Sequence, residues 1–276
     1  MIMEKILFID VDGTLCSPVY NEPPASAVTA IRKARAAGHK AYICTGRSKA
    51  EIYQDLLDIG FDGIIGGNGC YVEDDGKVIM HEKLTSDEVR HVVDWCASRN
   101  MELYLEANSG LYPSARYQEV SIEAYRRKYG KEPQYGAFFE KMIRNADLYA
   151  RNDVNKISFR LNSWEDYLAA VEEFPDLHVG CWGGDAPNCS HGDVSPEGIS
   201  KAKAIRVLLE YLGAQSSDTV AFGDEAVDIP MFEICGYSVA MGSGAQSAKD
   251  AADYVTAGTD DDGLYKAFVH LGFIEE

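Results

Sequence analysis

No apolar stretch in this 276-residue chain is long enough to cross a bilayer. The early run Ile6–Ile9 stops at Asp10, too soon for the core of a signal peptide, so a cytoplasmic protein is expected. Positive charge is scarce as well. Lys and Arg number 26 against 44 Asp and Glu, a net charge of −18 at pH 7. That balance argues against a nucleic-acid backbone or an anionic membrane as the main partner. A phosphorylated ligand would therefore need a local site, with a metal ion to offset the charge. C-x-x-C pairs are absent: the seven cysteines (16, 44, 70, 96, 181, 189 and 235) are scattered, mostly beside apolar residues, and read as reduced core residues. Only Cys181, Cys189 and His191 approach zinc-ligand clustering, too thinly to expect a zinc site. There is no internal repeat and no low-complexity linker.

What is present alternates between strands and helices. Hydrophobic residues make up 46% of the chain and charged residues 25%, ordinary for a globular protein, and the length suits one large domain or two. The apolar run KILFID ends in a carboxylate and reads as a buried parallel strand. In SAVTAIRKARAAG, Val28, Ile31 and Ala34 share a helical face, with Ser26 as N-cap and Gly38 as terminator. KAYICTGR is a second strand, residues 48–58 a second helix, and DGIIGGNG a third strand. The pattern resumes with the helix ISKAKAIRVLLEYLG and the strands DTVAFGD, YSVAM and DYVT. Between the halves, a stretch rich in Tyr and Trp mixes strand-like MELYLEA and KISFRL with helix-like SWEDYLAAVEEF. These signals predict an α/β fold: a doubly wound, Rossmann-like parallel sheet formed by residues 1–82 and 190–276, interrupted by a smaller α/β domain over 83–189.

In an open parallel sheet, ligands bind beyond the carboxyl ends of the strands. The first strand delivers Asp10 and Asp12 there, the second Thr45, Gly46 and Arg47. A late strand delivers Gly223 and Asp224, with Asp228 one turn further on, and Lys201 opens the preceding helix. Two carboxylates one residue apart are costly to bury unless something compensates. This gathering of acids, a hydroxyl and an ammonium suits metal-assisted phosphoryl transfer. Mg2+ takes hard oxygen ligands, which Asp10, Asp224 and a backbone carbonyl near Asp12 can supply. One carboxylate can attack phosphorus, and Asp12 can protonate the leaving oxygen. Thr45, Lys201 and the N–H groups around Gly13 and Gly46 can hold the phosphoryl oxygens.

DVDGT, TGR, ISK and GDEAVD, in that order, resemble the four motifs of the haloacid dehalogenase-like phosphatases. The long insert after the second motif resembles the Cof-type subfamily with its C2B cap, as does AMGSGAQSAKDAADYVT followed by DDGL. The likeness covers both core halves closely and the cap mainly in position and size. It implies Asp10 as nucleophile and magnesium ligand, and Asp12 as general acid/base with its main-chain carbonyl on the metal. It further implies that Thr45 and Lys201 hold the phosphoryl group and that Asp224 completes the metal site. Asp228 would lie behind the ligands or bind through water. The family's usual Asn-Asp is here Val227–Asp228, and a valine cannot donate a hydrogen bond, so weaker activity or an altered substrate is expected. MGSG likewise replaces the commoner Met-Gly-Asn-Ala.

Each residue also has a plainer reading. Arg47 reads as the partner of a surface acid ahead of a substrate ligand, and Asp228 equally well as an acid at a helix start. The glycines of GGNG and GSG are turn formers first. In the insert, Tyr112, Trp182 and Asp185 are the candidates to face substrate, and His191 is read as structural. The expected function is a magnesium-dependent phosphatase acting through an aspartyl-phosphate on a small phosphorylated metabolite, such as a sugar phosphate, as a monomer or homodimer. A closed cap would leave no room for a phosphoprotein. The alternatives are a phosphomutase of the same fold and a non-catalytic phosphate-binding module.

Overall fold

A computed structural model describes residues 4–17, 19, 22–132, 136–184 and 186–276. In chain order it runs β1 (Ile6–Ile9), α1 (Ala25–Ala36), β2 (Lys40–Cys44), α2 (Gln54–Leu57), β3 (Gly63–Gly66), β4 (Tyr71–Asp74) and β5 (Lys77–His81). It continues through α3 (Ser86–Ser98), β6 (Leu103–Ala107), β7 (Gly110–Pro113), α4 (Tyr117–Tyr129), α5 (Gly136–Glu140), β8 (Val154–Arg160), α6 (Trp164–Glu173), β9 (Leu177–Trp182) and β10 (His191–Pro196). The last part is α7 (Lys201–Leu212), β11 (Thr219–Gly223), α8 (Ile229–Ile234), β12 (Tyr237–Ala240), α9 (Gln246–Ala251), β13 (Tyr254–Val255) and α10 (Gly263–His270). The chain divides into two compact units, one of residues 1–47, 52–81 and 200–276, the other of residues 48–51 and 82–199.

The first unit is built on an eight-stranded sheet of order β13-β12-β11-β1-β2-β3-β4-β5. It is parallel from β13 to β3 and closes with an antiparallel hairpin, β4–β5. Successive residues of β1 serve opposite faces, as strand geometry demands. Leu7 and Ile9 pack with Ala30, Ile31 and Ala34 of α1 and Leu264 and Phe268 of α10. Ile6 and Phe8 pack with Ile205 and Leu208 of α7, Met231 of α8 and Ala248 of α9. Helices therefore cover both faces, which explains why the central strands are apolar throughout. Ile31 is fully buried, and its truncation to alanine would cost about 2–5 kcal/mol.

Two local expectations are corrected. Ser26 does not cap α1; Pro24 occupies that position, and Ser26 lies inside the first turn with its hydroxyl buried and unpartnered. Proline's fixed φ suits it to a helix entrance. Residues 48–58 are not one helix. Glu51 N–H donates to Ser48 O at 2.9 Å, closing a 3-10 turn over Lys49–Glu51, and Ser48 N–H donates back to Glu51 Oε2 at 3.0 Å. Extended Tyr53 separates that turn from the short α2.

In the second unit a five-stranded antiparallel sheet of order β7-β6-β8-β10-β9 turns one face towards α3 and α6. Leu103, Leu105, Ile157, Phe159 and Val194 pack there against Val89, Val92, Trp95, Ala170 and Phe174. A reciprocal capping box, Thr85 with Glu88, starts α3. The strand His191–Pro196, which the sequence boundary at 189/190 placed with the first sheet, pairs with β8 and β9 in this one.

Candidate active site

The candidate residues of the first unit converge where β1, β2 and β11 end. β1 lies between the other two, so its exit is the crevice from which the connections diverge. Asp10 follows β1 directly, its N–H donating to Phe222 O at 3.0 Å. The chain then turns back, with Leu15 N–H donating to Asp10 O at 3.1 Å and Gly13 N–H to Cys16 O at 3.0 Å. Gly13 makes the turn at φ +86°, and a Cβ there would lie 2.1 Å from Asp224 Oδ2. Only glycine satisfies both requirements.

Lys201 is the electrostatic centre. It stands at the first position of α7, behind the N-cap Ser200, whose hydroxyl accepts from Lys203 N–H at 3.1 Å. Its Nζ donates to Asp10 Oδ1 and to Asp228 Oδ1, each at 2.6 Å, and the residue is 2% exposed. Burial opposes its charge, but the carboxylates of Asp10 and Asp228 outweigh it and hold the ammonium well above the usual lysine range. Asp228 is fully buried, and its second oxygen accepts from Asp224 N–H at 3.0 Å and Glu225 N–H at 3.1 Å. It thus fixes the loop that presents Asp224.

The carboxylates outnumber that one ammonium. Ligand atoms of Asp10, Asp224 and Asp228 all lie within 4.8 Å of one another. Burial, with help from Asp228 and Asp224, pushes Asp10 up to about 8 against the pull of Lys201. Burial also pushes Asp224 up to about 7, with Asp228 and Glu225 adding to it and a 2.9 Å hydrogen bond from Thr14 Oγ1 opposing it. Such a crowd of buried carboxylate oxygens suits a hard divalent cation of the magnesium type. Among the described residues this is the only group of three or more acidic, His or Cys side chains so placed.

Thr45 is buried at the end of β2, its N–H donating to Ile65 O at 2.9 Å and its Oγ1 accepting from Arg47 N–H at 3.2 Å. Gly46 passes close to Asn68, where a Cβ would lie 3.2 Å from Oδ1. Arg47 does pair with an acid, but that acid is Asp12. Val227 is half exposed in the turn before α8. Three contributors escaped notice in the sequence. Thr14 supports Asp224, Thr259 donates from its hydroxyl to Gly13 O, and Asn68 braces the second motif, its N–H donating to Thr45 O at 3.1 Å. Thr14 completes the DGT triplet and was the visible one; the other two come from distant segments that only folding brings near.

Within the second unit, Tyr112 is buried in the core and hydrogen-bonded to Ser109, which removes it as a candidate to meet substrate. Trp182 stacks on His191 at 3.9 Å, and Asp185 lies outside the described residues. Both nitrogens of His191 face hydroxyls, Ser190 at 2.9 Å and Tyr117 at 3.3 Å. This unit also holds a buried charged cluster that no local motif announces. Glu106 accepts from Ser158 Oγ at 2.5 Å and pairs with Lys156 at 3.3 Å, while burial and Glu106 raise Glu51 to about 8.

Comparison with known proteins agrees with this architecture. The sequence model of the family described as haloacid dehalogenase-like hydrolase matches residues 7–268. The protein named "Putative phosphatase YkrA" from Bacillus subtilis (strain 168) is 27% identical over 273 residues, covering 98% of this chain and 99% of its own. A solved hypothetical protein from Geobacillus kaustophilus HTA426 superposes with a TM-score of 0.84 at 26% identity, covering 99% of this chain and 100% of its own. The solved HAD subclass IIB sugar phosphatase BT4131 does so with a TM-score of 0.78 at 27% identity, covering 98% and 100%.

Proposed function

Because the chain belongs to the haloacid dehalogenase-like hydrolases and is a phosphatase of that family, we propose that it hydrolyses a small phosphorylated metabolite, of the sugar-phosphate class, through an aspartyl-phosphate on Asp10. The observation that carries this reading is the grip of Lys201 on Asp10. One carboxylate oxygen is held by the ammonium and the carboxylate is fixed at the strand end, so its other oxygen is the natural nucleophile. The likeness to a sugar phosphatase supports the substrate class.

In the first step Asp10 attacks phosphorus and the bond from phosphorus to the leaving oxygen breaks. Asp12, whose side chain is 61% exposed, gives that oxygen a proton. In the second step Asp12 takes a proton from water as the water attacks phosphorus, releasing phosphate and freeing Asp10. Thr45, Lys201 and N–H groups around Gly46 and Gly13, whose own N–H is taken by Cys16 O, hold the phosphoryl oxygens. Asp10, Asp224 and the main-chain carbonyl of Asp12 would hold Mg2+, with Asp228 behind them. The ion, when bound, offsets charge on the transferring group. The second unit is assigned the selection of the leaving group.

Phosphate release from p-nitrophenyl phosphate and a sugar-phosphate panel, with and without magnesium, tests the reading. Turnover that requires the metal and vanishes in Asp10→Asn is the expected result. Transfer of phosphate between sugars without net release would indicate a mutase instead.

A further inference from the structure

Outside the candidate active site, the second unit brings two thiols together. Cys181 ends the inner part of β9, paired with Gly192 of β10, and Cys189 lies on the return of the loop that joins those strands. Their sulfurs are 2.7 Å apart, and both residues are partly exposed. A disulfide has an S–S distance of about 2.05 Å, so closing the bond asks for less than about 1 Å of sulfur movement.

The loop is shaped for this approach. Ser190 N–H donates to Trp182 O at 3.1 Å, closing the hairpin just beyond Cys181. The chain then folds over itself through Gly183 at φ +80° and Gly184 at φ +153°. A Cβ at Gly183 would lie 2.1 Å from Ser190 Oγ, and one at Gly184 would lie 2.5 Å from Asn188 O. Only a chain without side chains at both positions can lay Cys189 back against Cys181 so tightly. The thiol of Cys189 also donates to Gly184 O at 3.2 Å, which anchors it in that position. By contrast Cys16, Cys44, Cys70 and Cys96 are buried, Cys16, Cys44 and Cys96 each in a different hydrophobic cluster.

We propose that Cys181 and Cys189 form a reversible dithiol–disulfide site, oxidised by small disulfides of the glutathione type. The Cys189 thiol loses its proton and attacks one sulfur of the glutathione disulfide. That S–S bond breaks, and one glutathione leaves with the electron pair and takes up a proton. The Cys181 thiol then loses its proton and attacks the Cys189 sulfur, and the second glutathione leaves in the same way. Two protein thiols are oxidised and one disulfide is reduced to two thiols. The order follows from Cys181, whose thiol burial and the neighbouring Cys189 push up to about 12, making it the slower first attacker.

The test is intact-mass analysis and peptide mapping of the full chain after incubation with glutathione disulfide, then with excess reduced glutathione. The expected product is lighter by two hydrogens, carries no adduct, maps to a 181–189 bridge, and reverts in the reducing step. Cys181→Ser should instead retain a glutathionyl adduct on Cys189, and Cys189→Ser should leave Cys181 largely unmodified. Circular dichroism of both variants checks that they remain folded. A wild type that keeps both thiols, or that carries separate adducts on 181 and 189, would overturn the proposal. So would a bridge between two chains.

Discussion

Arg47 grips Asp12 with both arms of its guanidinium, Nε 2.9 Å from Oδ2 and Nη2 2.5 Å from Oδ1. The pairing joins the second motif to the first and fixes the orientation of the proposed acid/base. A planar fork is the geometry that lysine lacks, so the two basic residues are not equivalent here. Asp12→Asn should lower kcat by about 10²–10⁴-fold, the usual worth of general acid–base catalysis. Arg47→Lys should cost about tenfold or less, and the double variant should be no slower than Asp12→Asn alone, because the two residues act as a unit. Steady-state kinetics of the three variants decide it. Additive losses would show that Arg47 works independently of Asp12.

Lys201 is the counter-charge of the cluster, so its removal should be felt in stability as well as turnover. Lys201→Met leaves Asp10 and Asp228 buried without their shared ammonium. Breaking a buried pair from one side costs about 3–5 kcal/mol. Urea unfolding should show that loss, and a difference below about 1 kcal/mol would mean that the site relaxes around the missing charge.

A bound divalent cation should stabilise the fold in proportion to its occupancy. Free magnesium at 100 times its Kd would add about 2.7 kcal/mol and raise the Tm accordingly. The gain should shrink sharply in Asp224→Asn, which removes the negative charge of one ligand while keeping the shape. Equal shifts in both proteins would place the ion elsewhere. This reading needs no substrate.

Gly13 tolerates no side chain. Its φ of +86° disfavours any other residue, and the added methyl would displace the Asp224 carboxylate. Gly13→Ala should therefore destabilise by about 1–3 kcal/mol and also lose activity. An alanine variant with wild-type turnover and Tm would show that the first loop can open away from Asp224.

Much of this site was legible because its chemistry is written next to strand ends. ILFI is apolar on both faces and runs straight into Asp10, and VAFG does the same before Asp224, so the rim could be placed from sequence alone. What could not be read depended on distance along the chain. Thr259 reaches Gly13 across 246 positions and Asn68 braces Thr45 from the turn after β3, and neither has a local pattern to betray it. Ser26 looked like a cap because its type favours that role, yet Pro24 had already fixed the entrance. The helix expected over residues 48–58 failed for a related reason. Ser48 and Glu51 satisfy each other locally, and that closure competes with helical continuation.

His191 gives a pH dependence of defined sign. It is buried against Trp182, and that burial, with Arg160 and Lys156 nearby, lowers its pKa to about 3. The unfolded chain protonates the imidazole near pH 6.5, whereas the folded chain keeps it neutral down to about 3. Between those values the unfolded state binds the extra proton, so this residue's contribution to stability falls as pH drops and is fully restored above about 6.5. The slope is about 1.4 kcal/mol per pH unit. The other buried acids also titrate, so the measurement is the difference in unfolding free energy between wild type and His191→Gln. From about pH 4.5 to 6.5 that difference should rise in favour of the wild type and then level off. A difference that stays flat across the window would mean that the imidazole protonates in place, and that its stack on Trp182 opens readily to water.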